Sequence, residues 1–233
     1  MIRGLLVAAA LALCSTAALA TDPDAVAQAE QQQVVTAVHL ISDQKLNDAI
    51  GLLDKVIAAN DARHQDKGQQ VYCARSQAEV LLYMAEAAAA KRRAIAVDPT
   101  YCDAIFLKGF ALIDLGQAAE ARRYIERAVA MAPRNAYFRA ELAESYKTAR
   151  DWENAFAMFE RAASDAREFS PEDSKTFELT RALRGMGFVR SEQARWDEAE
   201  KLFRECLKLN PEDTKAKSEL DYIAQQRARR GVN

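Results

Sequence analysis

A chain of 233 residues, 50% hydrophobic, with eight glycines, five prolines and a net charge of −2, is long enough for a sizeable core and carries no basic surplus. That balance argues against nucleic acid or an anionic membrane surface as partner. Abundant Ala, Glu, Arg and Leu without strand-like alternation point to an all-helical protein.

The chain begins "MIRGLLVAAALALCSTAALA". Arg3 supplies a positive start, Leu5 to Leu13 an apolar stretch, and Ala18-Leu19-Ala20 a small-x-small site. This order predicts a secretory signal peptide over residues 1–20, cleaved after Ala20, and an exported, most simply periplasmic, protein. Leu13 is too bulky for the small residue that lipid attachment at Cys14 would want. Cleavage would remove Arg3, leaving 32 − 1 = 31 basic against 34 acidic residues, a net charge of −3. After Ala20 no apolar run reaches the roughly 18 residues that cross a bilayer, so no membrane insertion is expected.

Along the remaining residues one set of gaps, twelve, four, three and five, recurs. It is clear at Gly109, Ala121, Ile125, Ala128 and Pro133, and again at Gly187, Ala199, Phe203, Cys206 and Pro211. Ala143, Ala155, Phe159, Ala162 and Arg167 repeat it without the proline. Fainter copies run through Ala37, Ala49, Leu53, Val56 and Asp61, and through Arg75, Ala87, Lys91, Ala94 and Pro99. The steps 75 to 109 and 109 to 143 are both 34 residues, and the steps 37 to 75 and 143 to 187 are 38 and 44.

A small residue on each of two antiparallel helices lets them approach closely, the next two positions share a face of the second helix, and the proline stops it. Trp152 and Trp196, 44 residues apart at equivalent places, read as packing residues. Ser170, Pro171, Glu172 and Asp173 are N-terminal helix signals, so the longer step should extend a helix.

With this period and these residues the chain resembles the tetratricopeptide repeat (TPR) family, most strongly in "LKGFALIDLGQAAEARRYIERAVAMAP" and "LRGMGFVRSEQARWDEAEKLFRECLKLNP". The resemblance implies an all-α, right-handed superhelix of antiparallel helix hairpins over residues 21–233. Repeats are expected at about 30–63, 68–101, 102–135, 136–169 and 180–213, with a capping helix at about 212–230. The segment 68–101 departs most: Lys91 stands where an apolar residue packs, and no turn residue lies in its middle.

Nothing in the chain suggests catalysis. His39 and His64 are the only histidines and lie in no metal-ligand spacing, and there is no nucleophile elbow, phosphate loop or dinucleotide pattern. No enzyme, cofactor or metal site is expected. Cys206 takes the place of Ala128 and Ala162 and reads as a small buried residue. Export would permit a disulfide between Cys73 and Cys102. In a regular hairpin their axial offset of about 7.5 Å would hold them too far apart, but the irregularity of this segment leaves the bridge open.

In the family the first helix of each hairpin lines a concave groove that contacts peptide ligands. The stripe Asp103, Phe106, Phe110 and Ile113 would face it, matched by Gln69, Tyr72, Ser76 and Glu79, by Tyr137, Ala140, Glu144 and Lys147, and by Arg181, Arg184, Phe188 and Ser191. The expected partner site is thus Phe106, Phe110, Ile113, Tyr137, Arg181, Arg184 and Phe188, an apolar floor with two guanidinium groups at one end. Packing of the rings against a neighbouring helix is the competing reading. The function implied is a non-enzymatic periplasmic adaptor for a protein or peptide. The alternative is a structural subunit of a cell-envelope assembly of the secretion or pilus type.

Overall fold

The computed structural model describes residues 22–66 and 68–231, so the expected signal peptide over residues 1–20 lies outside them. Among the described residues the first pair of helices is α1 (Pro23–Ser42) and α2 (Leu46–Arg63). Three further hairpins follow: α4 (Thr100–Asp114) with α5 (Ala118–Met131), α6 (Ala136–Thr148) with α7 (Trp152–Phe169), and α8 (Glu172–Glu192) with α9 (Trp196–Leu209). A final helix, α10 (Thr214–Arg230), packs on α8 and α9. It occupies the place expected of a cap and buries Ala216 and Ile223.

All four hairpins turn in the same way. Gln44, Gly116, Arg150 and Ala194 have φ between 56° and 75°, and each lies seven residues after its small anchor at 37, 109, 143 or 187. In each, the following N–H reaches back five residues: Lys45 to Leu40, Gln117 to Leu112, Asp151 to Tyr146 and Arg195 to Arg190, at 2.8–2.9 Å. This is the Schellman closure, which satisfies the last carbonyls of one helix and aims the chain into the next. The anchors themselves are buried. A Cβ on Gly109 would meet Ile125 at 2.9 Å, and one on Gly187 would meet the Phe203 ring at 2.7 Å, so the helix pairs close to a distance only glycine allows.

The segment 68–101 is not a helical hairpin. It forms β1 (Gln69–Cys73), α3 (Gln77–Ala89) and β2 (Arg93–Val97), with the two strands parallel and Val71 opposite Ile95. The reason is where its turn falls. Seven residues after Arg75 comes Leu82, inside α3, whereas the left-handed residue is Lys91 at φ 54°. Only Arg92 to Asp98 then remain before Pro99, too few for a second helix, and Arg93–Val97 pair with β1 instead. Ser76 caps α3 by accepting the Glu79 N–H, while Glu79 accepts the Arg75 N–H at 2.7 Å, a variant of the capping box.

The solenoid therefore has four hairpins, not five, and α2 packs directly on α4 across the insert. The insert in turn braces the later hairpins. Arg75 bridges Glu79 and Glu178 on α8, and also donates to the Arg134 carbonyl. The Tyr83 hydroxyl accepts the Arg134 N–H at 3.0 Å, and Arg134 pairs with Glu86. Cys73 and Cys102 are joined as a disulfide with a Cα separation of 6.1 Å. The offset expected of a regular hairpin does not arise, because Cys73 ends a strand that lies beside the start of α4.

The longer last linker does lengthen a helix, since α8 runs for 21 residues. Ser170 is not its cap, however. Pro171 takes that position, and the Ser170 hydroxyl donates to Glu178.

Candidate functional site

The helices α1, α4, α6 and α8 place an apolar row side by side. Phe106 stacks on Phe138 with ring centroids 4.4 Å apart and meets Tyr137 at 5.4 Å, and Tyr137 continues to Phe177 at 5.9 Å. Phe106 is only 3% exposed, so the expectation that it forms an accessible floor is corrected. Its ring joins α4 to α6 and is core. Phe110 and Tyr137 are half-buried, and Ile113 is exposed. A cavity of about 210 Å³ between α1 and α4 is lined by Val38, Ile41, Phe110 and Tyr137 among others. Val38 and Phe177, which the repeat register missed, are 42% and 56% exposed. For Phe177 the available signal was one aromatic ring in the otherwise polar first turns of α8, whereas Val38 lies in an apolar stretch that gives no such signal. Tyr72, Ser76 and Glu79, matched to this row by repeat register, belong to the insert and do not join it.

Beside this row the stack opens. One buried core cluster runs from α1 to Phe138, and a second from Ala136 to Ile223. Between the hairpin α4–α5 and α6 lies a cleft of about 650 Å³, walled by Ile113, Ala121 and Ile125 on one side and by Glu141, Glu144 and Arg181 on the other. Its walls are mainly apolar, with the charges along one rim.

The two arginines expected to receive anions are already engaged. Arg181 pairs with Glu141 and lies over the Tyr137 ring at 5.2 Å. Arg184 pairs with Asp213, whose other oxygen accepts the Ala216 N–H and caps α10. Arg184 is thus a strap to the capping helix. Phe188 is half-buried beneath Lys147, whose Nζ stands 4.7 Å from the ring centre. It shares a second, smaller cavity of about 170 Å³ with Arg181, Arg184 and Lys215. Burial raises the Glu141 carboxyl above its usual range despite the Arg181 charge.

Asp103 opens the α4 stripe. Burial first, and the Asp98 charge second, raise its carboxyl to about 6, with Arg75 acting the other way. The unfolded value is about 3.9, so between these values the folded chain holds the extra proton. Its contribution to stability is fully present below about pH 4 and is lost as pH rises through about 6. Asp103→Asn is therefore expected to stabilise the fold by about 1–3 kcal/mol at pH 7.5 and to be neutral near pH 4. Thermal unfolding at the two pH values checks this; an equal effect at both would show that ionisation is not the cause.

Among the described residues the acidic side chains around His64 are paired, and the Cys206 thiol is buried. Near His64, Asp61 accepts from Tyr101 and Arg127, and Asp66 pairs with Arg93. Burial pushes the Cys206 thiol up to about 12, away from the thiolate that nucleophilic chemistry needs. Among the described residues no group of three or more His, Cys, Asp or Glu side chains is arranged to hold a metal ion, and no helix is long and apolar enough to cross a membrane.

Two family models, each described as tetratricopeptide repeat, match residues 103–135 and 182–217. These are the α4–α5 hairpin and the α8–α9 hairpin with the start of α10. No curated protein matches the sequence. Among solved structures the chain is similar to pilF of Pseudomonas aeruginosa, at 14% identity over 87% of this chain and 71% of that one, with a TM-score of 0.59. It is also similar to a Podospora anserina protein of nearly identical TPR-like repeats, at 15% identity over 86% and 88% of the two chains, with a TM-score of 0.56. MamA of AMB-1 is 16% identical over 87% and 85%, with a TM-score of 0.50. At these identities the likeness shows the fold, a tetratricopeptide solenoid.

Proposed function

We propose that this tetratricopeptide protein is a non-enzymatic adaptor of the bacterial periplasm that binds an extended segment of a partner protein along its first helices. Solenoids of this kind present extended concave surfaces for binding. The observation that carries the reading is the row Val38, Phe110, Tyr137 and Phe177, which leads to the apolar cleft rimmed by Glu141 and Arg181. Exposed apolar rows continuous with a cleft mark interaction sites more than single surface residues do. Since Arg181 and Glu141 already neutralise each other, the ligand expected is apolar or aromatic with few charges. Export is supported by the character of residues 1–20 and by the Cys73–Cys102 bridge, which suits an oxidising compartment.

The test is capture from periplasmic extract with the wild-type chain and with Phe110→Ala/Phe177→Ala. Truncating hot-spot side chains costs about 2 kcal/mol or more of affinity, so the double variant should bind the captured partner at least about tenfold more weakly. Its unfolding midpoint should change little, because Phe177 is exposed and Phe110 half-buried. Undiminished capture would remove the groove from the reading and leave the convex face, and with it the envelope-subunit role, as the site of assembly.

A further inference from the structure

The insert leaves a two-stranded parallel sheet with one open side. Parallel strands are ordinarily interior to larger sheets, and a lone strand pair is marginal in water. Here α3 covers one face through Tyr83 and Ala87, and β1 lies beside α4 and α5, so β2 is the outer strand. The Ala74 N–H donates to the Val97 carbonyl at 3.1 Å, which turns the backbone groups of Val97, Ile95 and Arg93 toward β1. Strand alternation then turns those of Ala94 and Ala96 outward. Unpaired outward groups on an edge strand are a template for another strand.

We propose that this edge pairs with the same edge of a second copy of the chain, β2 against β2, antiparallel about a two-fold axis. The partner is named by the sequence "RRAIAVD", Arg92 to Asp98, which is complementary to itself when reversed. With Ile95 opposite the partner's Ile95, Ala94 faces the partner's Ala96 as a hydrogen-bonded pair, using the outward groups. Arg92 then stands opposite the partner's Asp98, twice by symmetry. Both of these side chains are exposed, and Asp98 accepts the Thr100 N–H at 2.8 Å through one oxygen, keeping the other. Shifting the register by two residues places Arg92 opposite Ala96, or Ala94 opposite Asp98, and loses both ion pairs. The result is a continuous four-stranded sheet, independent of the groove and of what it binds.

Light scattering of the oxidised chain from Thr21 onward should show a monomer passing to a dimer as concentration rises. Arg92→Asp and Asp98→Arg each place like charges in opposition and should each weaken the dimer; combined in one chain they should restore it. Ala96→Pro removes an outward N–H without touching the ladder to β1, and should weaken the dimer at least tenfold with helical circular dichroism intact. If that variant fails to fold, the charge exchange on exposed residues still decides the matter. Ile95→Cys tests the register. Non-hydrogen-bonded antiparallel partners have Cα atoms about 4.5 Å apart, within disulfide reach, so oxidation should yield a covalent dimer, whereas Arg93→Cys should not. A chain that stays monomeric at every concentration, a dimer indifferent to the charge exchange, or a monomer that instead takes up foreign peptide strands along β2 would overturn the proposal.

Discussion

Phe106→Ala is expected to destabilise the protein by about 3–5 kcal/mol, the range for buried aromatics cut to alanine. The ring is 3% exposed, stacks on Phe138 and touches Tyr137, so truncation removes burial and two aromatic contacts at once. Its position adds a second consequence. The α4–α5 hairpin and α6 are separated along much of their length by the cleft, and Phe106 with Phe138 forms the apolar bridge between them. Solenoid stability is approximately a sum of hairpin terms and nearest-neighbour interfaces. Weakening this interface should therefore broaden the urea transition or split it into two steps, with the α1–α5 part separating from the α6–α10 part. Unfolding followed by circular dichroism checks both; a shift within about 0.5 kcal/mol, as at an ordinary surface position, would show that the ring is not core.

Loss of the Cys73–Cys102 bridge should have the next largest effect. The bridge joins residues 29 apart and encloses most of the insert. Loop-closure entropy for about 30 residues corresponds to about 3–4 kcal/mol at 25 °C. The insert's own buried core is small, with Tyr72, Ala74, Tyr83 and Ala87, and apart from the bridge it is attached by Val71 and Val97 against the main core and by the Arg75 and Arg134 pairs. In the Cys73→Ser/Cys102→Ser chain, residues 69–97 should lose amide-exchange protection by two to three orders of magnitude, since about 1.4 kcal/mol is a factor of ten. The α6–α9 amides should keep theirs. Unchanged protection in β1 and β2 would mean that the ion pairs and the Val71 and Val97 contacts secure the insert without the bridge.

Spacing made the four hairpins legible, although it matched the insert as well. The small anchors and the shared face of the second helix are local features, each carried by its own residues. Ala37, Gly109, Ala143 and Gly187 are therefore legible without any knowledge of neighbours. The capping helix was legible for the same reason, its N-cap Asp213 lying just before a mostly polar run.

The insert and the groove were decided elsewhere. Arg75, Ala87, Lys91, Ala94 and Pro99 match the gaps by residue type, yet a helix cap at Ser76 and a turn at Lys91 leave room only for a strand. A five-residue strand such as Arg93–Val97 becomes stable only when β1 is beside it, and that pairing is a long-range event no window along the chain contains. The disulfide followed from the same juxtaposition. Phe106 and Phe110 look alike in sequence, four residues apart on one face of α4. Whether each ring meets Phe138 or solvent depends on how far α6 stands from α4, a distance set by the packing of whole hairpins and not by either residue.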